Sequence, residues 1–242
     1  MPKAAAIRHA FTLNGNKIMS ITRRLKQIAK YYLTSPEDLS GRADGSDLLK
    51  DFIGRCAQME GPRVLELGTK RSYAERSTRH DSWIPNASEF IGSDIENADD
   101  VDLIADVHKL SETVGTESFD VIISCSSFEH FKYPQLAAHQ IMKTLKIGGL
   151  LFIQTHQSYP IHSSPHDYFR FSREALAALF GTRMGFNVIA TDYEFPVRLK
   201  AKESADVAFM PAYLNSRLFG EKTGKTPDEY VYEYDLDLSS GG

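Results

Sequence analysis

Cysteine is nearly absent from this 242-residue chain: Cys56 and Cys125 are the only two, far apart and each within an apolar segment. That excludes a disulfide framework and a thiolate metal site, and a reducing cytoplasmic location is expected. No apolar run approaches the ~20 residues that a membrane-spanning helix needs. The opening MPKAAAIRHAFTLNGNKIMS lacks a long apolar stretch followed by small residues, so no secretory signal is expected. Acidic residues are missing from Met1 to Pro36, whereas DEYVYEYDLDL near the C-terminus carries five acids and no base. The net charge of −4 argues against a nucleic-acid-binding role. Internal repeats and low-complexity segments are also missing.

What is present reads as one sizeable α/β domain with an N-terminal addition. Ile18, Ile21, Leu25, Ile28 and Tyr32 recur at helical spacing with Arg23, Arg24, Lys26 and Lys30 between them. This predicts a basic amphipathic helix, able to pack on its own domain or to touch an acidic partner or membrane surface. The expected division is residues 1–45 as basic helical extension and linker, and residues 46–242 as the main domain. A helix is predicted from Leu48 towards Gly61-Pro62, through Leu49, Phe52, Ile53, Cys56 and Met59.

Short apolar runs follow: RVLELG, FIGSDI, VDLIAD, FDVIIS, LLFIQT and FNVIATDYEF. Continuous runs of four to six apolar residues suit strands buried on both faces of a parallel sheet. Helices are predicted between them. One has Pro134 in its first turn and a stripe through Leu136, Ile141 and Leu145; another starts at Ser172, with Glu174 in its first turn. The fold expected is a doubly wound, Rossmann-like, mostly parallel α/β sheet. The alternation in YVYEYDLDL predicts an antiparallel last strand.

In an open α/β sheet the ligand sits outside the carboxyl ends of the strands. Those ends read Glu66-Leu67-Gly68, Asp94-Ile95, Asp106-Val107, Ser124-Cys125 and Thr155-His156. Three successive strands ending in or beside a carboxylate suit a ligand with ribose hydroxyl and adenine amino donors. The loop after Gly68 reads Thr69-Lys70-Arg71-Ser72, without the glycine-rich turn a dinucleotide fold needs, so a nicotinamide-dependent oxidoreductase is disfavoured.

Taken in order, VLELG, GSDI, ADVHKL, FDVIISCSSFEHF and LKIGGLLFIQT resemble the class I S-adenosylmethionine-dependent methyltransferases, of the type 11-like group, from about Val64 to Phe195. The resemblance implies S-adenosyl-L-methionine as cofactor. It implies Asp94 on the ribose hydroxyls, Ile95 against the adenine, and Asp106 and the Val107 backbone on the adenine edge. Ser124 and Cys125 would offer backbone groups near the methionyl ammonium. Gly68 and Thr69 would form the first loop, and Glu66 would orient it or receive the ammonium through water. Lys70 and Ser72 stand where the family has further glycines, which implies an altered loop, and KRSYAERSTRHDSWIPNAS lacks the apolar stripe of the usual first helix. A non-catalytic binding or regulatory module on the same fold is the alternative that this loop raises.

After the fifth strand, THQSYPIHSSPHDYFRF holds His156, His162 and His166 with Asp167, Tyr168 and Arg170. The resemblance places this segment over the transferred methyl. The catalytic base is then expected to be His156, with His130 and His166 as the next candidates, because imidazole accepts protons near neutral pH. Tyr168 and Arg170 are expected to contact the acceptor. No metal is expected, since neither an i, i+4 histidine pair with its glutamate nor a cysteine pair is present. Resemblance to relatives that carry a DYxRF segment here implies a sugar-like acceptor, and O-methylation of a small-molecule or glycan-like acceptor is the reaction expected.

Overall fold

The computed structural model describes residues 25, 26, 29, 33, 38–40, 45–71, 74–200 and 206–232. Two compact units divide the chain: Met1–Pro36 with Lys200–Met210, and Glu37–Leu199 with Pro211–Gly242. In the first, residues 25, 26, 29 and 33 are helical, and Asp206–Phe209 forms a 3-10 turn. The remainder of the basic helix lies outside the described residues.

The second unit opens with helix α1, Leu48–Cys56. Asp47 caps it by accepting from the Leu49 and Lys50 backbone N–H groups at 2.9 and 3.2 Å. Leu48, Phe52 and Cys56, four residues apart, are buried on one face. The helix ends at Cys56, and turns carry the chain across the segment that was expected to continue it to Gly61.

Among the described residues seven strands follow: β1 Arg63–Leu67, β2 Glu89–Asp94, β3 Leu103–Ile104, β4 Phe119–Cys125, β5 Leu145–His156, β6 Phe186–Val197 and β7 Ala212–Lys222. They lie in the order β3-β2-β1-β4-β5-β7-β6. The pairs β1·β2, β1·β4, β2·β3 and β4·β5 are parallel, whereas β7 runs antiparallel to both β5 and β6. Among the described residues the antiparallel last strand is therefore Ala212–Lys222. Residues 230–232 are not strand, and 233–238 lie outside the described residues.

Successive residues of the central strands point to opposite faces, and both faces are covered. Val64, Val121, Ile123 and Phe152 pack with α1 on one side. There Phe52 packs against Phe152, tilted, and edge-on to Phe219, at ring separations of 5.1 and 5.5 Å. Leu65, Leu67 and Ile122 pack on the other side with Phe128, Ala137, Ile141 and Leu176. That layer contains helices α2 Leu110–Val114, α3 Pro134–Thr144 and α4 Arg173–Leu179. The predicted stripe of α3 is partly displaced: Leu136 is exposed, and Ala137, Ala138, Ile141 and Met142 make the buried face. Ser172 caps α4 by accepting from Ala175 N–H at 3.1 Å.

Two buried cations fasten β7. Arg217 makes a two-pronged pair with Asp192, at 2.8 and 2.7 Å, directly across the β6–β7 ladder. Lys222 donates to the Met142 and Leu145 carbonyls, at 2.8 and 2.6 Å, where the end of α3 leaves acceptors without helical partners. Burial holds the Lys222 ammonium below its ordinary pKa.

Candidate active site

Strand order reverses beside β1, and at the carboxyl ends of β1, β2 and β4 the chain encloses a cavity of about 890 Å³. That is within the range of a small-molecule or cofactor site. Gly68, Asp94, Ile95, Asp106 and Val107, all expected cofactor contacts, line it together. Gly68 has φ +77°, and a Cβ there would meet Ser127 Oγ at 2.0 Å and Ser127 Cβ at 2.7 Å. Only glycine lets the chain pass between strand and cavity at this point.

Ion pairs and side-chain bonds organise the glycine-poor loop. Lys70 N–H donates to Asp94 Oδ2 at 3.1 Å, and Lys70 Nζ pairs with Glu96 at 2.5 Å. Arg71 grips Asp100 through two bonds of 2.9 and 2.8 Å, which hold the Asp100 carboxyl down to a pKa of about 2. Thr69 is buried, and its hydroxyl donates to the Asp100 carbonyl at 2.8 Å, so its side chain fastens the loop and does not line the cavity. Glu66 is likewise buried away from the cavity lining. Its carboxylate accepts from His80 N–H at 2.9 Å and meets His80 Nδ1 at 2.5 Å. Among the described residues between β1 and β2 the only helical piece is the 3-10 turn Asp81–Trp83, as the missing apolar stripe predicts.

Asp106 caps the short turn Val107–Lys109, accepting from His108 N–H at 2.9 Å and lying 2.8 Å from His108 Nδ1. Burial alone would raise the Asp106 carboxyl, but these bonds and the charges of His108 and Lys109 hold it below its usual range. Ser124 is wholly buried, and neither it nor Cys125 is part of the lining; burial and neighbouring carboxylates push the Cys125 thiol well up. Ser126, with φ +51°, and Ser127 take the wall position after β4. Sequence reasoning missed these two, along with Glu96, His108, Phe131 and Lys132. The Ser126-Ser127 pair directly after an apolar strand was the available signal for the first two.

The histidine segment folds back over the end of β4. Tyr168 and Phe169 donate their N–H groups to the Glu129 carbonyl at 3.0 and 3.1 Å, and Phe171 N–H donates to the His156 carbonyl at 2.9 Å. His130, His166 and Tyr168 line the cavity. His156 does not, contrary to the expectation that it emerges at the cleft. It is 8% exposed, with Nδ1 3.2 Å from Asn215 Oδ1 and Nε2 3.0 Å from Glu129 Oε1. The strand β5 continues through residue 156, paired with β7, so the ring stays inside the sheet's end. Burial pushes its imidazole below the ordinary value, against the pull of Glu129. Arg170 is also placed differently: its guanidinium is engaged by Asp167 at 2.5 and 2.8 Å and by the Tyr159 and Pro160 carbonyls. It pins the loop instead of facing an acceptor.

The family described as methyltransferase domain matches residues 42–191. No curated protein matches the chain. Many solved structures share its fold at low identity, three of them as follows. One is the complex between the Haloferax volcanii Trm112 methyltransferase activator and a methyltransferase, with 20% identity over 74% of this chain and 89% of that one and a TM-score of 0.51. The second is a SAM-dependent methyltransferase from Archaeoglobus fulgidus, with 13% identity over 72% and 91% and a TM-score of 0.52. The third is a methyltransferase from Bacillus halodurans, with 11% identity over 74% and 100% and a TM-score of 0.50. With the family match covering more than half of its length, and with strand-end carboxylates and a constrained glycine around one cavity, the chain belongs to the methyltransferase-domain family, as a class I S-adenosylmethionine-dependent methyltransferase.

Proposed function

We propose that the protein transfers a methyl group to a hydroxyl of a small-molecule or glycan-like acceptor. The observation that carries this is the composition of one cavity: Gly68, Asp94 and Asp106 on one wall, and His130, His166 and Tyr168 on another. The carboxylates suit ribose and adenine donors, and Gly68 brings the backbone to the cavity with Ser127 packed where a side chain would stand. Bound S-adenosylmethionine supplies a methyl already activated by its sulfonium charge. The chain then has to align the acceptor at ~3–3.5 Å and take its proton.

In this reading His166 accepts the proton and Tyr168 positions the acceptor; the His166 ring nitrogen Nδ1 lies 3.1 Å from the Tyr168 hydroxyl. His130 is less available, because its Nδ1 is bound to the His166 carbonyl at 2.7 Å and its Nε2 faces inward, 3.9 Å from the buried Glu129 carboxylate. His156 supports the wall from behind, and Ser126 and Ser127 stand in for the contacts first assigned to Ser124 and Cys125. Residues 46–242 carry the reaction, with 1–45 as an N-terminal extension and linker. No helix among the described residues is long and apolar enough to cross a membrane, and a cytoplasmic location is part of the proposal.

The test is release of S-adenosylhomocysteine with a panel of polyhydroxylated small molecules, glycosides, amines and peptides, each product located by mass spectrometry and NMR. An O-methyl ether on a sugar-like acceptor, lost in His166→Ala with cofactor affinity kept, is the expected result. Turnover confined to nitrogen or carbon acceptors would overturn the assignment.

A further inference from the structure

Beneath the cavity wall, three imidazoles converge on one buried carboxylate oxygen. Glu129 has no exposed side-chain surface; its Oε2 accepts from the Thr155 hydroxyl at 2.6 Å, but no hydrogen bond reaches Oε1. A buried anionic oxygen without a donor is costly and calls for a cation. Around it stand His156 Nε2 at 3.0 Å, His130 Nε2 at 3.9 Å and His162 Nε2 at 4.0 Å. His156 Nε2 is close enough for a contact but does not make a hydrogen bond to Oε1, and the orphaned oxygen weighs more here than the short distance.

The far nitrogens fix what the near ones can do. His130 Nδ1 faces the His166 carbonyl at 2.7 Å, and His162 Nδ1 faces the Pro160 carbonyl at 3.2 Å. His156 Nδ1 faces Asn215 Oδ1 at 3.2 Å, and that amide is oriented by its Nδ2 donating to Glu194 at 3.3 Å. All three partners are acceptors, so in each neutral ring the proton sits on Nδ1 and the Nε2 lone pair is left pointing inward. Oxygen acceptors behind the ring, aligning it and fixing its tautomer, are the arrangement found around metal-ligating histidines. Asp167 adds to this outer layer, accepting from His162 N–H at 2.9 Å and lying 3.6 Å from its Nδ1.

We infer that Glu129, His130, His156 and His162 form a site for one divalent first-row transition cation. Ligand atoms of Glu129, His130 and His162 lie within 4.8 Å of one another, and His156 Nε2 joins them through the same carboxylate oxygen. Ligands ~2.0–2.2 Å from a single tetrahedral ion stand roughly 3.3–3.5 Å apart, so modest closing of the longer gaps suffices. Three imidazoles and one carboxylate favour zinc, cobalt or nickel over magnesium or calcium, which take oxygen shells. Because His130 also lines the cavity, a cation held here fixes that wall; four protein ligands close its tetrahedral shell, so its role is structural and it binds no acceptor itself. The binding site is independent of which acceptor is methylated.

The tag-free full chain, stripped with chelator, is titrated with Co²⁺ by visible absorption and with Zn²⁺ by calorimetry. One equivalent per chain, with d–d bands of a nitrogen/oxygen site, is expected. Affinity should weaken at least tenfold in His162→Gln and in Glu129→Gln, and stay near wild type in His166→Gln, whose side chain is outside the four. His162 lies on the loop, so its variant remains informative if the buried Glu129→Gln does not fold. Absence of saturable binding and of d–d bands in the wild type would overturn the site. So would binding that His162→Gln leaves unchanged, or that His166→Gln weakens equally.

Discussion

Replacing Gly68 by alanine tests the close passage at the cavity wall with two costs that can be separated. The left-handed backbone, φ +77°, costs a side chain about 1–2 kcal/mol. The added Cβ would lie 2.0 Å from Ser127 Oγ, which could rotate away only by giving up its bonds to the Leu67 and Cys125 carbonyls at 3.2 and 3.0 Å. It would also lie 2.7 Å from Ser127 Cβ, which no rotation relieves, so the backbone must shift; overpacking of this kind costs about 1–3 kcal/mol. The total of about 2–5 kcal/mol should lower Tm by roughly 4–20 °C for a chain of this size. Gly54 is the control: it lies inside α1 with nothing within 4 Å of a built Cβ, and Gly54→Ala should stabilise by about 0.5–1 kcal/mol. Adding Ser127→Gly to Gly68→Ala removes the steric part and should recover about half of the loss. Calorimetric melting of the four proteins reads all of this. A Gly68→Ala melting point within 1 °C of wild type, or one shifted in the same direction and extent as Gly54→Ala, would refute the reasoning.

Asp94→Ala should weaken S-adenosylhomocysteine binding by about 1.5–3 kcal/mol, the scale of a hydrogen bond to a charged group; unchanged affinity by calorimetry in a folded variant would move the ribose elsewhere. Arg217→Met should leave Asp192 buried and unpaired and cost about 3–5 kcal/mol in urea unfolding, with Arg217→Met/Asp192→Leu recovering much of it. Asp100 has a folded pKa of about 2 against 3.8 for the free group, so between those values the unfolded chain binds the extra proton. Its contribution is present above pH ~4 and is lost as pH falls towards ~2, and Asp100→Asn should flatten that part of the stability–pH curve. An equally steep curve in the variant would contradict the Arg71–Asp100 assignment.

The parallel half of the sheet and its carboxylate-tipped strand ends were legible because burial on both faces leaves an uninterrupted apolar run before each strand-end residue. Asp94 and Asp106 were found this way and share one cavity. The last strand was not. Asn215, Ser216 and Arg217 interrupt its apolar pattern, yet all are buried, because Arg217 is neutralised by Asp192 and Ser216 donates to the Phe171 carbonyl at 2.8 Å. His156 was misplaced because a strand's end cannot be read from its apolar residues when polar ones continue the ladder, as Gln154, Thr155 and His156 do against β7. The histidine cluster had no recognisable spacing because its members come from a turn after β4, the tip of β5 and the returning loop. Only the fold makes them neighbours.

Strand β7 separates β5 from β6, although it is made after both. During synthesis the chain therefore presents two unpaired strand edges until residues 212–222 leave the ribosome, and these two strands cannot be satisfied by each other in the native order. At ~5–20 residues per second, the 25 positions from Val197 to Lys222 take roughly 1–5 s, in which an apolar sheet edge is open to pairing with other chains. Phe219 and Leu218, each wholly buried on its own side of the sheet, arrive in the same late segment. The order of manufacture thus makes a short C-terminal stretch the closing piece of both cores, and nascent chains stalled before it are the species that a holding chaperone would have to shield.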